Sequence, residues 1–484
     1  MKVLLTGATG YIGGQLVLPL LDAGHDVTCM VRDASRGLPA LFRRVRVVQA
    51  DPLRAETLPS ALQGIEAAYY LIHSMSGAER GFEERDRRAA YNFAMAARVA
   101  GVQRTIYLGG LVAAGSVASP HLKSRVETGA ILREFGPALT EFRAGIIVGN
   151  GSISFEIIRT LTERLPVMIC PRWVVTRTQP IAVEDVVRYL VAALQVPESA
   201  GEIIEIGGAT VESYRSMMLT YARERGLRRW MVRVPVLTPR LSSYWLDLVT
   251  SVPPAVSRPL IEGLRSEAVC TSTRARELFP AFRPVSYRQA LRDALARGGP
   301  ETFPLRELPA EAGHWRVRAQ GMICDTRQIV VRSPAEQLFH LIEGVGGDSG
   351  WFYGNVLWRL RGWLDRLAGG AGMSRGRTNP QGSREGDVID WWRVQRVVPN
   401  RMLLLRAELK LPGDAWLQFE VVPQSGERTL LCSRAWFQPR GLLGEIYWYG
   451  LLPIHGLLFS GMMRSIKQAA ETGPPALSAL ASAR

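Results

Sequence analysis

The chain has 484 residues, too many for one compact core, so two domains are expected. Hydrophobic residues at 47% and charged residues at 21% exclude a disordered or fibrous chain. The net charge is +15, but only four of the 59 basic residues are lysines and the arginines are scattered, which argues against a nucleic-acid surface and leaves diffuse attraction to acidic ligands or anionic lipid.

The five cysteines, Cys29, Cys170, Cys270, Cys324 and Cys432, lie far apart without CxxC or His/Cys metal spacing. They read as small buried apolar residues in a reducing compartment, and no metal site is expected. A strand begins directly after Met1-Lys2, leaving no room for a secretory signal. The apolar stretch Ile446 to Phe459 is shorter than the roughly 20 residues of a bilayer span, and Pro453 and His455 interrupt it. It reads as a buried or interfacial helix, which places the chain in the cytoplasm, with a peripheral membrane position as the variant.

In chain order, KVLLT leads into a helix Tyr11–Ala23, then DVTCMV, RVVQA and AAYYLIH follow as strands. A helix Arg87–Ala100 precedes TIYLG, a helix His121–Phe135 precedes LTEFRAG, and a helix Val183–Leu194 precedes EIIEIGG. Strands separated by helices specify an α/β fold: a Rossmann-type, doubly wound parallel sheet with right-handed crossovers. This first domain spans residues 1–297, and its helical part at about 211–297, broken at Pro253-Pro254, reads as a small cap. The Gly- and Pro-rich residues 298–314 read as a linker.

Beyond the linker the period changes. In RMLLLRAELKLPG, residues Leu403, Leu405, Ala407 and Leu409 alternate with Leu404, Arg406, Glu408 and Lys410. AWLQFEVV and TLLCSRAWF repeat that pattern after turns, so residues 315–472 predict an antiparallel sheet with one wet face. A helix near Ala335–Glu343 precedes the sheet, a long helix from about Leu452 to Glu471 follows it, and residues 473–484 read as a frayed tail.

TGATGYIGG follows the first strand at once and opens a helix, and Gly7, Gly10 and Gly13 give it GxxGxxG spacing. Glycines there allow a tight turn, close approach to a pyrophosphate and close helix packing, with the phosphate on the helix N-terminus. Gly7, Thr9, Gly10, Tyr11, Ile12 and Gly13 are therefore candidate cofactor contacts. In this fold, the residue after the second strand meets the adenosine ribose. Arg32 stands there and suits a 2′-phosphate, so NADP is favoured; NAD, read by Asp33, is the alternative.

The motif TGATGYIG resembles that of extended and atypical short-chain dehydrogenase/reductases over about residues 1–295, including the NmrA-like members. YYLIHSM, YLGGL and HLKSRVETG narrow the resemblance to NAD(P)H-binding proteins carrying a second domain, DUF2867, matched by GDVIDWWRV and LRAELKLPGDAWLQFEV. The resemblance implies that this domain is an α+β helix-grip (START-like) fold, an antiparallel sheet around a long helix with an apolar cavity between them. It also puts Asp51, followed by Pro52, near the adenine, and Ile72, His73 and Ser74 beside the nicotinamide; a structural role is the alternative for His73. Reductases of this family use a tyrosine, a lysine four residues on, and a serine after the fifth strand. Here Gly109 or Gly110 takes the serine position, and His121 and Arg125 take the spacing of the pair. Positions i and i+4 share a helix face, whereas Lys123 points away. Histidine can act as a general acid, and Arg125 can hold a ribose or carboxylate while pushing His121 toward its neutral form. The blander reading is a packing or anchoring pair.

The second domain offers no nucleophile–base pair. Its aromatic residues Trp351, Phe352, Trp358, Trp363, Trp391, Trp392, Trp416, Trp436 and Trp448 read as core or cavity wall. Asp387 and Asp390 read as solvated loop acids, with a ligand-site role as the alternative. Two functions are expected from these readings. One is an NADP(H)-binding oxidoreductase transferring hydride to an apolar carbonyl or enone. The other is a non-catalytic NADP(H) sensor, or a carrier of a lipid-like ligand.

Overall fold

The computed structural model describes residues 1–34, 40–73, 81–112, 119–233, 266–302, 312–370, 372, 376–379 and 382–472. It divides into two compact units, Met1–Gly298 and Gly299–Arg484. The Pro253-Pro254 break, most of the expected linker and the expected tail lie outside the described residues.

The first unit is built on seven parallel strands: β1 (Lys2–Leu5), β2 (Asp26–Val31), β3 (Arg46–Gln49), β4 (Ala67–Tyr70), β5 (Arg104–Gly110), β6 (Ala138–Ala144) and β7 (Ile203–Ile206). Their spatial order is β7-β6-β5-β4-β1-β2-β3, so the winding reverses between β1 and β4. That reversal is where a doubly wound sheet opens a crevice at its carboxyl ends. Both faces are covered, which explains the unbroken apolar runs. Val3 and Leu5 pack with Leu16, Val17 and Leu20 of α1 (Tyr11–Asp22), while Leu4 and Tyr70 pack with Ala90, Phe93 and Ala97 of α2 (Phe82–Val99). The α2 helix begins at Phe82, five residues before the expected start at Arg87. The expected cap has a core of its own, in which Tyr214, Met217, Tyr221, Tyr287 and Leu291 pack on Phe155 and Ile158.

Thr6 clamps the two sides of the switch point. Its hydroxyl donates to the Tyr69 carbonyl at 2.9 Å and accepts the Leu71 N–H at 3.1 Å. The β1 turn and the end of β4 are thereby held at one height.

The second unit is a seven-stranded antiparallel sheet: β8 (Gly313–Ala319), β9 (Met322–Val331), β10 (Val388–Ile389), β11 (Trp392–Val398), β12 (Met402–Ala407), β13 (Gly413–Pro423) and β14 (Thr429–Pro439), in the order β8-β9-β14-β13-β12-β11-β10. Its helices are α3 (Ala335–Glu343), α4 (Asn355–Leu367) and α5 (Gly441–Thr472), and α5 packs along β9 and β14. Four expectations change here. The last helix starts at Gly441, eleven residues before Leu452, and runs through Pro453; its 32 residues are long and apolar enough, by length and composition, to cross a membrane. The outer face is not wholly wet, because Met322, Cys324, Leu404, Trp416 and Trp436 bury one another on the side opposite α5. Among the tryptophans named above, Trp363 is 56% exposed, because it lies on the outer side of α4. Asp390 is not solvated: it is buried and accepts the Trp351 indole N–H at 2.8 Å.

Replacing Thr6 by valine keeps the shape and deletes both clamp bonds. Urea unfolding followed by a first-unit probe should show a loss of about 1–3 kcal/mol.

Candidate functional site

The crevice at the switch point holds about 510 Å³. Its floor is the turn between β1 and α1, whose geometry admits glycine alone at two points. Gly7 has φ +67°, and a Cβ there would lie 2.5 Å from the Leu71 carbonyl oxygen. A Cβ on Gly13 would lie 2.3 Å from the Gly7 carbonyl oxygen. Gly10 caps α1 without a side-chain acceptor, so the first-turn N–H groups are left for an external anion. These features fit a dinucleotide pyrophosphate.

Of the expected cofactor contacts, Gly7, Gly10, Tyr11, Ile12, Gly13, Ile72 and His73 line the crevice. Thr9 and Arg32 are exposed, and they, Asp51 and Pro52 lie outside the lining. The Asp51 carboxylate accepts the Leu53 N–H at 3.0 Å, closing its own turn, and the Pro52 carbonyl accepts from Asn92 at 2.8 Å. Ser74 lies outside the described residues.

Glycines stand at both candidate serine positions at the end of the fifth strand. A Cβ on Gly110 would stand 2.7 Å from Leu122 Cδ2 of the helix Pro120–Phe135. Glycine lets this helix, capped by Ser119, press its first turns against the strand end. His121 and Arg125 consequently both line the crevice, while Lys123 is exposed.

His121 is not alone there. Its Nδ1 lies 2.8 Å from His73 Nε2, and His73 Nδ1 lies 2.8 Å from Asp86 Oδ2. Ser124, one turn along from His121, donates its hydroxyl to the same Asp86 oxygen at 3.1 Å. Asp86 is buried on α2 at the head of the stripe Ala89, Ala90, Phe93, Ala94, Ala97. Sequence reasoning missed it, although an acid on the apolar face of a helix was a readable signal.

Burial holds both imidazoles neutral. It lowers His121 to about 3, with the Arg125 charge and His73 acting the same way against Asp86. For His73, burial also outweighs the raising effect of the Asp86 hydrogen bond. With both rings neutral, the protons are determined. The carboxylate accepts, so His73 Nδ1 carries a hydrogen; His73 Nε2 accepts in turn, so His121 Nδ1 carries one. His121 Nε2 is left with a lone pair. Arg125 donates to the Leu108 carbonyl, and the Tyr107 hydroxyl donates to the Arg125 carbonyl at 3.0 Å. Arg125 Nε is buried without a hydrogen-bond partner, a donor that suits a ribose hydroxyl or a phosphate.

Comparison with known proteins agrees with this geometry. Residues 7–144 match the family described as NAD(P)H-binding, so the first unit carries an NAD(P)H-binding domain. Residues 320–462 match DUF2867, described as a protein of unknown function, and the chain therefore joins these two domains. Photosystem II assembly factor Ycf39 of Trieres chinensis is 25% identical over 209 residues, 43% of this chain and 64% of that protein. A 3 beta-hydroxysteroid dehydrogenase/Delta 5-->4-isomerase of Mycobacterium tuberculosis is 36% identical over 115 residues, 22% of this chain and 30% of that protein. The chain thus spans less than two thirds of the length of either relative. The crystal structure of a nucleoside-diphosphate-sugar epimerase from Staphylococcus aureus matches with a TM-score of 0.50 at 18% identity, covering 60% of this chain and 100% of that one, a likeness of fold alone.

Gly13→Ala forces a methyl group onto a backbone oxygen. Its urea midpoint should fall by the equivalent of about 1–3 kcal/mol, and NADPH titration should show no saturable binding.

Proposed function

We propose that the first unit binds NADP(H) and transfers hydride to an apolar carbonyl or enone, with Asp86, His73 and His121 managing the proton. The chain of 2.8 Å contacts that ends in the crevice carries this reading. The nucleotide supplies or removes hydride when bound. The glycine turn and α1 would seat the pyrophosphate, Arg125 the ribose, and exposed Arg32 the 2′-phosphate.

His121 Nε2, bearing a lone pair, can take a proton from an alcohol as hydride leaves its carbon. His73 and Asp86 then share the positive charge along the relay. In the reducing direction the same atom must first be protonated. Because His121 is neutral above about pH 3, the reduction rate should climb as pH falls through the neutral range, while alcohol oxidation stays level there. The depressed His121 and the absent tyrosine, lysine and serine favour the second reading, a sensor that binds nucleotide without turnover.

In the second unit, the exposed apolar residues Leu443, Ile446 and Leu457 of α5 and Trp363 and Leu367 of α4 support the peripheral membrane position. So do the exposed Arg359 and Arg366 beside them, which suit anionic headgroups.

NADPH and NADH binding are measured by fluorescence, and NADPH oxidation is followed against a panel of apolar carbonyl and enone compounds. Turnover that falls about 10²–10⁴-fold in His121→Ala, with unchanged NADPH affinity and a lost pH slope, is the expected outcome. Binding without turnover across the panel selects the sensor; no binding of either nucleotide overturns both readings. In Arg32→Ala, NADPH affinity should drop about 10- to 100-fold while NADH affinity holds.

A further inference from the structure

The second unit encloses a cavity of its own, of about 200 Å³, between the inner face of the sheet and helices α4 and α5. Its wall includes Trp391, Trp392, Phe437, Tyr447 and Trp448. The surrounding indoles differ in one respect. Trp351 donates to Asp390 at 2.8 Å, Trp358 to the Tyr353 carbonyl at 3.2 Å, Trp416 to Gln395 at 2.9 Å and Trp436 to Gln418 at 3.2 Å. The N–H groups of Trp391, Trp392 and Trp448 are buried with no partner. All three of these residues line the cavity.

A buried indole N–H ordinarily finds an acceptor, because an unpaired one forfeits its hydration for nothing. Three unpaired donors on residues that line one apolar cavity call for acceptor oxygen there. Water suits such a wall poorly, since it must also donate, and His455 is the sole group there with a comparably orphaned nitrogen, its Nδ1. Volume sets the size of the guest. A dry cavity of about 150 Å³ accommodates benzene, so the space here admits one or two fused rings and not an extended acyl chain. The lip at Leu360, Leu364 and Ile454 is 45–49% exposed, which leaves an entry for an apolar molecule.

We propose that this cavity binds a small, flat, apolar ring compound bearing a ketone or quinone oxygen, held by the indole N–H groups of Trp391, Trp392 and Trp448. This departs from the lipid-like ligand expected from sequence, and it is independent of the nucleotide crevice.

The full chain, labelled with 15N at tryptophan, is titrated with 1-tetralone, with the hydrocarbon tetralin of the same size, and with palmitate. The ketone should bind roughly three- to tenfold more tightly than tetralin and shift orphan indole resonances downfield, which tetralin should not. Trp448→Phe should reduce that preference and leave tetralin affinity in place. Equal affinity for the two ring compounds, unmoved indole resonances, or binding of palmitate alone would overturn the proposal. If Trp448→Phe does not fold, the wild-type resonances decide. NADPH titration of the same sample reports on the first unit separately, so failure at one site is not counted against the other.

Discussion

A carboxylate taken out of water must be met by donors, and Asp86 organises the first unit's crevice around that requirement. Its position at the head of the apolar stripe of α2 buries it, and its neighbours must then supply hydrogens. His73, at the end of the central strand β4, supplies one, and Ser124, from the helix that follows β5, supplies another. The carboxylate thereby ties the segments that follow two neighbouring strands, β4 and β5, and fixes which nitrogen of each imidazole is protonated. His121 inherits its orientation from His73, and the lone pair on its Nε2 from Asp86 acting through His73. The glycine floor and the relay are complementary: the first fits a nucleotide, and the second would supply the proton chemistry of the hydride transfer proposed above.

The substitution of His121 and Arg125 for a tyrosine and a lysine is therefore more than a change of two residues. A tyrosine beside a lysine is a donor whose acidity is raised by one charge. A neutral histidine backed by a second histidine and a buried acid is an acceptor with a route for charge to leave. Arg125 serves this arrangement by anchoring on the Leu108 carbonyl while its charge adds to the burial that keeps His121 neutral. Gly110 eases the close approach of helix and strand, because a Cβ there would stand 2.7 Å from Leu122 Cδ2 and push that methyl group aside.

Much of the first unit was legible in the sequence, because its signals are local. The glycine spacing, the apolar runs and the helices between them each sit within a dozen residues. The relay was not legible, because its contacts join residues 13, 38 and 48 positions apart. His121 stands out through its spacing to Arg125, but its partner is His73, and the Asp86 behind His73 lies one residue before the helix start expected at Arg87. In the second unit, the alternation of Leu403 to Leu409 correctly placed strands but not the burial of Leu404, which depends on Trp416 and Trp436 from neighbouring strands closing over the opposite face. The early start of the last helix, at Gly441, was hidden by Pro453, which reads as a break but is carried inside the helix.

Nitrogen-15 NMR of the histidine rings in the full chain measures the protonation pattern of the relay directly. His73 and His121 should both be neutral with the hydrogen on Nδ1, and His121 should stay so through pH 5. A His121 that titrates near its ordinary value of about 6.5, or that carries its hydrogen on Nε2 at neutral pH, would contradict this pattern.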